Sequence, residues 1–174
     1  MRRRLATMAV AVVVTGLLDA PAVAQSPPAL RRVRPIDPRA RELLLDAWHS
    51  SVTVRELVKT LEASDLIVQI ESQPVLAAYR ARLRFMSATP ACRYLRVSVT
   101  VPGLRENLLP ALAHELQHAV EIAGAADVRD EQSVEALLRR IGWEWRHTVF
   151  ETEAALAIED RVRLEITAAA RRRP

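Results

Sequence analysis

The feature that most limits the fold is a run of helical periodicity from residue 104 to residue 122, bounded by Pro102-Gly103 and Gly124. A Pro-Gly pair ends the preceding segment, and glycine commonly follows the last turn of a helix. Most side chains in the second half of this run are uncharged, so the helix can be buried. The sequence therefore predicts a long buried helix that the remaining elements have to cover.

The segments on either side of this helix have other periodicities. Alternating apolar and polar residues predict three strands, at about residues 66–70, 79–85 and 93–101. Helical spacing predicts four more helices, at about residues 38–49, 53–63, 131–140 and 151–169. The order α-α-β-β-β-α-α-α indicates an α+β domain with a small antiparallel or mixed sheet, whose apolar face the helices cover.

Short sequence motifs predict where the first two helices begin and which face of the second strand is polar. Asp37 followed by Pro38 predicts the start of the first helix, and a capping box from Thr53 to Glu56 predicts the start of the second. Arg80, Arg82 and Arg84 alternate with apolar residues of the second strand. We expect these arginines on the solvated face of the sheet, and only secondarily on an anion-binding surface.

The N-terminus has the organisation of an export signal. Arg2 to Arg4 precede an apolar run from Leu5 to Leu18, and Ala22-Val23-Ala24 offers a signal-peptidase site. The run is too short to span a membrane comfortably, so we expect cleavage after Ala24 and a periplasmic or secreted protein. Cys92 is the only cysteine, so no intramolecular disulfide can form after export.

The mature chain divides into an arm and one domain. Residues 25–37 are rich in Pro and Arg, which favours an extended arm, and residues 38–174 are predicted to form the single domain. The formal net charge is +4, and it falls when the signal removes Arg2 to Arg4 and Asp19. A basic excess this small does not favour nucleic acid as a partner.

The central helix contains His114-Glu115-Leu116-Gln117-His118, the H-E-x-x-H pattern. On a helix the two histidines lie about 40° apart and about 6 Å along the axis, so both imidazoles can reach one ion. Glu115 lies about 100° around the helix from His114, where its carboxylate can take a proton from water activated by the metal. The pattern predicts His114 and His118 as zinc ligands and Glu115 as the general base.

The motif and its setting resemble the zincin metallopeptidases, in which the active-site helix carries HExxH and the edge strand of a sheet holds extended peptide substrate. The resemblance covers residues 65–163 in arrangement, and the letters match at the motif and at a later glutamate. It implies a small zincin-like domain, a Zn²⁺ cofactor and a peptide or protein substrate. The mature chain also looks similar to small exported bacterial proteins of unassigned function.

A catalytic zinc site needs a third protein ligand and leaves the fourth position to water. Glu121 and Gly124 stand where the longer metzincin motif has glycine and histidine, so that variant is excluded. A glutamate from a later helix remains, as in the gluzincin type. The candidates are Glu151 and Glu153.

Helical phase favours Glu151 over Glu153. In a helix over residues 151–169, Glu151 lies in the apolar stripe with Val162, and Glu153 lies on the opposite face. A buried carboxylate is costly unless it binds a cation. Glu153 remains a candidate for the third ligand because the gluzincin ligand often directly precedes an alanine, as Glu153 does. Glu121 is a third candidate, which we expect instead to accept a hydrogen bond from a ligand imidazole or to pair with an arginine.

Two further questions stay open at this point. His147 and Arg146 lie shortly before Glu151, so either could stabilise an oxyanion, and Trp143 and Trp145 are expected in the core or in the cleft wall. The sequence favours an exported zinc-dependent metallopeptidase. The alternative is a non-catalytic periplasmic metal-binding or protein-binding module, in which any bound ion is structural. An open water position distinguishes the two, since a structural zinc is normally closed by four protein ligands.

Overall fold

The computed structural model describes residues 29–75, 79–146 and 149–172, so the predicted signal peptide and His147 lie outside the described residues. The described residues have the predicted α+β class. Their elements are β1 (Val33–Pro35), α1 (Pro38–Ser50), α2 (Val52–Glu62), β2 (Leu66–Gln73), β3 (Ala81–Ala88), β4 (Arg93–Thr100), α3 (Arg105–Ala123), α4 (Glu131–Ile141), β5 (Trp143–Arg146), β6 (Val149–Glu151) and α5 (Glu153–Arg171). No described helix is both long enough and apolar enough to cross a membrane.

The main sheet is mixed and contains the three predicted strands together with β1. Its strand order is β1-β2-β4-β3. β1, β2 and β4 run parallel, whereas β3 pairs antiparallel with β4. β3 therefore forms one edge of this sheet.

β1 corrects the prediction that residues 25–37 form an arm outside the packed domain. Residues 33–35 are extended, but Val33 is fully buried and pairs with Val68 of β2. The carboxylate of Glu62 accepts hydrogen bonds from the backbone N–H groups of Arg32 and Val33, at 3.0 and 2.9 Å. A three-residue strand has no readable alternation, and its carboxylate partner is distant in sequence, so the local pattern missed it.

Helix α3 is covered from two sides. The apolar side chains of β2 and β4, such as Val68, Leu95 and Val97, form one core with those of α1, α2 and α3. Helix α5 packs mainly against α3 and so covers it as well. The core consequently surrounds the helix that carries the H-E-x-x-H pattern.

A buried arginine fixes the end of α3 to the start of β4. Arg93 is 1% exposed, and its guanidinium binds both carboxylate oxygens of Asp65, at 2.8 and 2.6 Å. It also donates to the carbonyls of Ile122 and Ala125, at 2.9 and 2.6 Å. A cation at this position gives these carbonyls a second, charged donor and interacts favourably with the helix dipole.

The start of α2 differs from the sequence prediction. Ser51 is the N-cap and accepts from the backbone N–H of Val54, so the capping box predicted at Thr53 is wrong. Thr53 lies inside the helix, and its hydroxyl donates to Glu165 of α5 at 2.9 Å. The side chain that the local pattern assigned to the N-cap makes a tertiary hydrogen bond instead.

The aromatic stretch after α4 forms a hairpin that the sequence analysis did not predict. β5 and β6 pair antiparallel, and α5 begins only at Glu153, with Thr152 as its N-cap. The helix predicted from residue 151 is therefore wrong at its start. A Cβ at Gly142 would lie 2.0 Å from the carbonyl oxygen of Glu151, so only glycine lets β6 end so close to the start of β5.

We expect Arg93→Ala to lower the free energy of unfolding by about 2–4 kcal/mol, because it leaves Asp65 without its partner and removes the charged hydrogen bonds to the carbonyls of Ile122 and Ala125. Urea denaturation of the two purified proteins measures the difference. Arg82→Ala, at an exposed position of the same sheet, is the matched control and should change stability by less than about 0.5 kcal/mol. Equal unfolding midpoints for both variants would contradict the anchoring role of Arg93.

Candidate metal centre

Helix α3 places the two imidazoles of His114 and His118 on consecutive turns. Both residues are buried, with 8% and 5% of their surface exposed. Their Nε2 atoms lie 3.1 Å apart, and the ring centroids are 4.8 Å apart with a 77° angle between the planes. The i, i+4 spacing predicted from sequence therefore directs two nitrogen atoms to one point inside the protein.

A carboxylate lies next to the outer nitrogen of each ring. Glu121 Oε2 is 2.8 Å from Nδ1 of His118, and Glu121 also accepts from the hydroxyl of Thr152 at 2.7 Å. Glu159 Oε2 is 3.2 Å from Nδ1 of His114, close enough for an ion pair although it is not aligned as a hydrogen bond. Because ionised carboxylates only accept, both Nδ1 atoms are the favoured sites for the protons, which leaves a lone pair on each Nε2.

Glu151, the last residue of β6, approaches the same point. Its Oε2 lies 3.2 Å from Nε2 of His114, is buried and makes no aligned hydrogen bond. One ligand atom from each of His114, His118 and Glu151 lies within 4.8 Å of the other two. Three electron pairs that converge in a buried space repel one another unless a proton or a metal ion lies between them.

The structure separates the three candidate glutamates. Glu153 is exposed as the first residue of α5, and Glu121 contacts the outer nitrogen of His118. Only Glu151 approaches the converging Nε2 atoms. The helical-phase argument that favoured Glu151 was nevertheless wrong, because Glu151 ends a strand and has no helical phase.

The charges around the histidines make the cluster favourable for a cation. Burial lowers the pKa of His114, but Glu151 and Glu159 outweigh burial and raise it to about 10. His114 in turn holds the pKa of Glu159 below its usual value. Burial raises the pKa of Glu121, but hydrogen bonds from His118 and Thr152 outweigh it and lower that pKa. The protein without metal thus keeps a proton where the ligand atoms converge.

Glu115 lies beside this cluster and outside the group of three ligand atoms. Burial raises the pKa of its carboxyl, and His118, His114 and the backbone N–H of Leu83 partly oppose that rise. The hydrogen bond from Leu83 links Glu115 to the edge strand β3. A carboxylate with a raised pKa is a stronger base than one in water, as a proton acceptor in a cleft requires.

A cleft of about 810 Å³ opens over the cluster. His114, Glu115, His118 and Glu151 lie in its wall, together with β3 residues from Ala81 to Phe85 and side chains of α4. Trp145 also lines this cleft and is 56% exposed, and Trp143 is 42% exposed, so core packing of these two residues is excluded. The cleft thus brings the H-E-x-x-H side chains and an edge strand to one open surface.

The oxyanion candidates remain predictions, because His147 and the side chain of Arg146 lie outside the described residues. Sequence reasoning missed Glu159. Its signal was present, since Glu159 lies four residues after Ala155 and three before Val162, next to the buried stripe of α5. An acidic residue beside such a stripe needs partners, and here they are His114 and Arg163, at 3.2 and 2.5 Å.

A scan against protein-family models, a search of curated proteins and a search of solved structures found no match to this chain. The geometry of the site is therefore the basis of the proposed function.

We expect Glu151→Ala to weaken zinc affinity by more than about 100-fold, because it removes one of three converging ligand atoms and the loss of an outer partner alone costs 10- to 100-fold. Competition with a chromogenic chelator measures the affinity. Glu153→Ala removes the same side chain two residues away, at an exposed position, and should leave the affinity unchanged. Zinc loss in Glu153→Ala with retention in Glu151→Ala would reverse the assignment, and retention in both would move the ligand to Glu121.

Glu159→Gln should weaken zinc affinity by roughly 10-fold, because a neutral amide orients the His114 ring less strongly than a carboxylate does. Glu153→Gln is the matched control, since it makes the same exchange at an exposed position at the start of the same helix. The same chelator titration compares the two variants. An equal affinity in both would show that Glu159 does not support His114.

Proposed function

We propose that the protein is an exported zinc-dependent hydrolase, a small metallopeptidase of the zincin type. The observation that carries the proposal is the convergence of His114, His118 and Glu151 beside Glu115 in the wall of an open cleft. Two histidines and one carboxylate are the donor set of many catalytic zinc sites. A mixed sheet whose antiparallel edge strand passes this cleft supports the zincin resemblance.

The residues present fit a zinc ion. Nε2 of His114, Nε2 of His118 and Oε2 of Glu151 would hold it, and the buried Oε2 without an aligned hydrogen bond would gain a partner. When bound, zinc would supply Lewis acidity that polarises a scissile carbonyl and makes water easier to deprotonate. Glu121 and Glu159 would keep the two rings oriented through their Nδ1 atoms.

Glu115 would act as the general base. It lies in the cleft wall, and burial raises the pKa of its carboxyl, so the carboxylate can take a proton from the attacking water. The same carboxyl, once protonated, would deliver that proton to the leaving amine. The hydrogen bond from Leu83 holds it toward β3, where an extended substrate would lie.

The edge of β3 would hold the substrate. β3 pairs with β4 on one side, and its other side belongs to the cleft wall. An extended peptide can add to such an edge through main-chain hydrogen bonds. We therefore propose a peptide or protein as the substrate, and not a nucleic acid.

Export and cellular location remain proposals that rest on the N-terminal sequence, where Arg2 to Arg4 precede an apolar run and a cleavage site after Ala24. A periplasmic or secreted peptidase would meet its substrates outside the cytoplasm. Expression without residues 1–24 gives the form of the protein in which to test the activity.

The alternative function is a non-catalytic metal-binding or protein-binding module. A structural zinc site is normally closed by four protein ligands. In the described part of the chain, three ligand groups converge here, and Glu115 stands beside them in the cleft wall. This arrangement favours the hydrolase.

We expect Glu115→Gln to bind zinc with unchanged stoichiometry and to cleave casein at least about 100-fold more slowly, because the amide keeps the size of the side chain but cannot accept the proton. Elemental analysis and a fluorescent casein assay provide the two readouts. Glu106→Gln makes the same exchange at an exposed position of α3 and should alter neither readout.

Equal cleavage by wild type and Glu115→Gln would reject Glu115 as the base. A wild-type protein that binds zinc but cleaves nothing would support the non-catalytic module. A protein that binds no zinc after purification without chelator would reject the hydrolase and the metal-binding form of the module, and it would leave the protein-binding form.

A further inference from the structure

Alternate residues in the first half of β3 and directly before it are arginines, and they share one face of the sheet. Arg82 and Arg84 are exposed, as is Arg80 directly before the strand, whereas Leu83 and Phe85 between them pack against the core. In the described part of the chain, no carboxylate pairs with the side chains of Arg82 and Arg84. Arginines on a sheet face are ordinarily solvated, so a function for this row needs further evidence.

That evidence comes from the neighbouring strand. Arg84 stands directly opposite Arg96 of β4, and like charges opposite each other destabilise a strand pair. Nε of Arg96 is buried without an aligned hydrogen bond, and Glu71 lies 3.7 Å from it. Arg82, Arg84 and Arg96 line a cavity of about 180 Å³ on this face, together with Glu71. One carboxylate therefore faces three arginines, and a further anionic group beside them would relieve the remaining repulsion.

The hydrogen-bond pattern of β3 shows where a peptide would place such a group. The backbone N–H of Thr100 donates to the carbonyl of Arg80, so the even-numbered residues of β3 bond to β4. Ala81, Leu83 and Phe85 consequently direct their N–H and C=O groups to the free edge, and Leu83 already donates there to Glu115.

A peptide that pairs antiparallel with this edge has a fixed relation to the arginines. Its residues opposite Arg82 and Arg84 fall at non-hydrogen-bonded positions, where cross-strand side chains come closest. Their side chains project from the same face of the sheet as the arginines. The residues between them project toward the apolar side of the cleft, where Leu83 and Phe150 lie.

We propose that β3 selects peptides with acidic side chains at alternate positions, opposite Arg82 and Arg84, and apolar side chains between them. This substrate class rests on the proposed peptidase function. Of the acidic side chains that line the cleft, Glu131 and Glu135 belong to α4, and Glu115, Glu151 and Glu159 lie at the histidines. Glu135 pairs with Arg139 at 2.8 Å, and Glu151 and Glu159 lie 3.2 Å from His114. Among the described residues, none of the five forms an ion pair with Arg82 or Arg84.

Three decapeptides test the proposal. Each alternates leucine with one second residue, which is glutamate, glutamine or lysine. With zinc-loaded protein lacking residues 1–24, we expect kcat/KM for the glutamate peptide to exceed that for the glutamine peptide about 10-fold, with lysine lowest. The ratio of glutamate to glutamine should shrink as salt is added, because the arginines are exposed.

Two variants locate the effect. Arg82→Gln with Arg84→Gln should bring the ratio of glutamate to glutamine close to one. Arg41→Gln, at an exposed position of α1, should leave both the ratio and the activity unchanged. Thermal melts of all proteins establish that they are folded, and either single β3 variant serves if the double variant is unstable.

The outcomes separate this proposal from the proposed function. Cleavage of all three peptides at equal rates, or a ratio that survives in the double variant, overturns the selection of acidic peptides and leaves the peptidase standing. If wild type cleaves neither the peptides nor casein, the peptidase function fails, and fluorescence anisotropy of the labelled peptides then tests whether β3 still binds acidic peptides. A higher affinity for the glutamate peptide than for the glutamine peptide, lost in the Arg82 and Arg84 variants, supports this selection. Equal affinities for the two peptides overturn it.

Discussion

Two buried imidazoles inside α3 determine where several other elements have to lie. The helix lies between the sheet and α5, so His114 and His118 have little access to water. Buried polar atoms that lose water must find protein partners or another ligand. Glu121, Glu151 and Glu159 meet that need from α3, the hairpin and α5. The positions of the hairpin and α5 are thus tied to two rings on a helix that precedes them in the chain.

The same arrangement gives the carboxylates different roles. Glu121 and Glu159 contact the outer nitrogens, while Glu151 approaches the point where the inner nitrogens converge. Glu115 stays apart from this group and is linked to the edge of β3. Because Arg93 anchors the end of α3 to β4, the helix and the sheet edge keep a fixed relation. The converging ligand atoms, the Glu115 carboxyl and an open strand edge therefore meet in one cleft.

Elements with long periodic patterns were predicted well, and short ones were not. The repeated apolar positions of α1, α3 and β4 depend on neighbours a few residues away, so the sequence contains the information. β1 and the β5–β6 hairpin are short and are held by distant partners, such as Glu62 for β1. The predicted cap at Thr53 failed for a related reason, because the contact with Glu165 uses its hydroxyl.

The sequence by itself determined that His114 and His118 point to one side of a buried helix with Glu115 beside them, because helix geometry fixes residues four apart. It could not determine which later glutamate joins them. Glu151 reaches His114 because Gly142 allows the β5–β6 hairpin to close and because Thr152, the N-cap of α5, directly follows Glu151. The closure of the hairpin and the position of α5 both depend on tertiary packing. The partner of His114 on α5 and the open edge of β3 were likewise decided by packing. Local geometry follows from neighbouring residues, whereas contacts between distant residues exist only after the elements have packed.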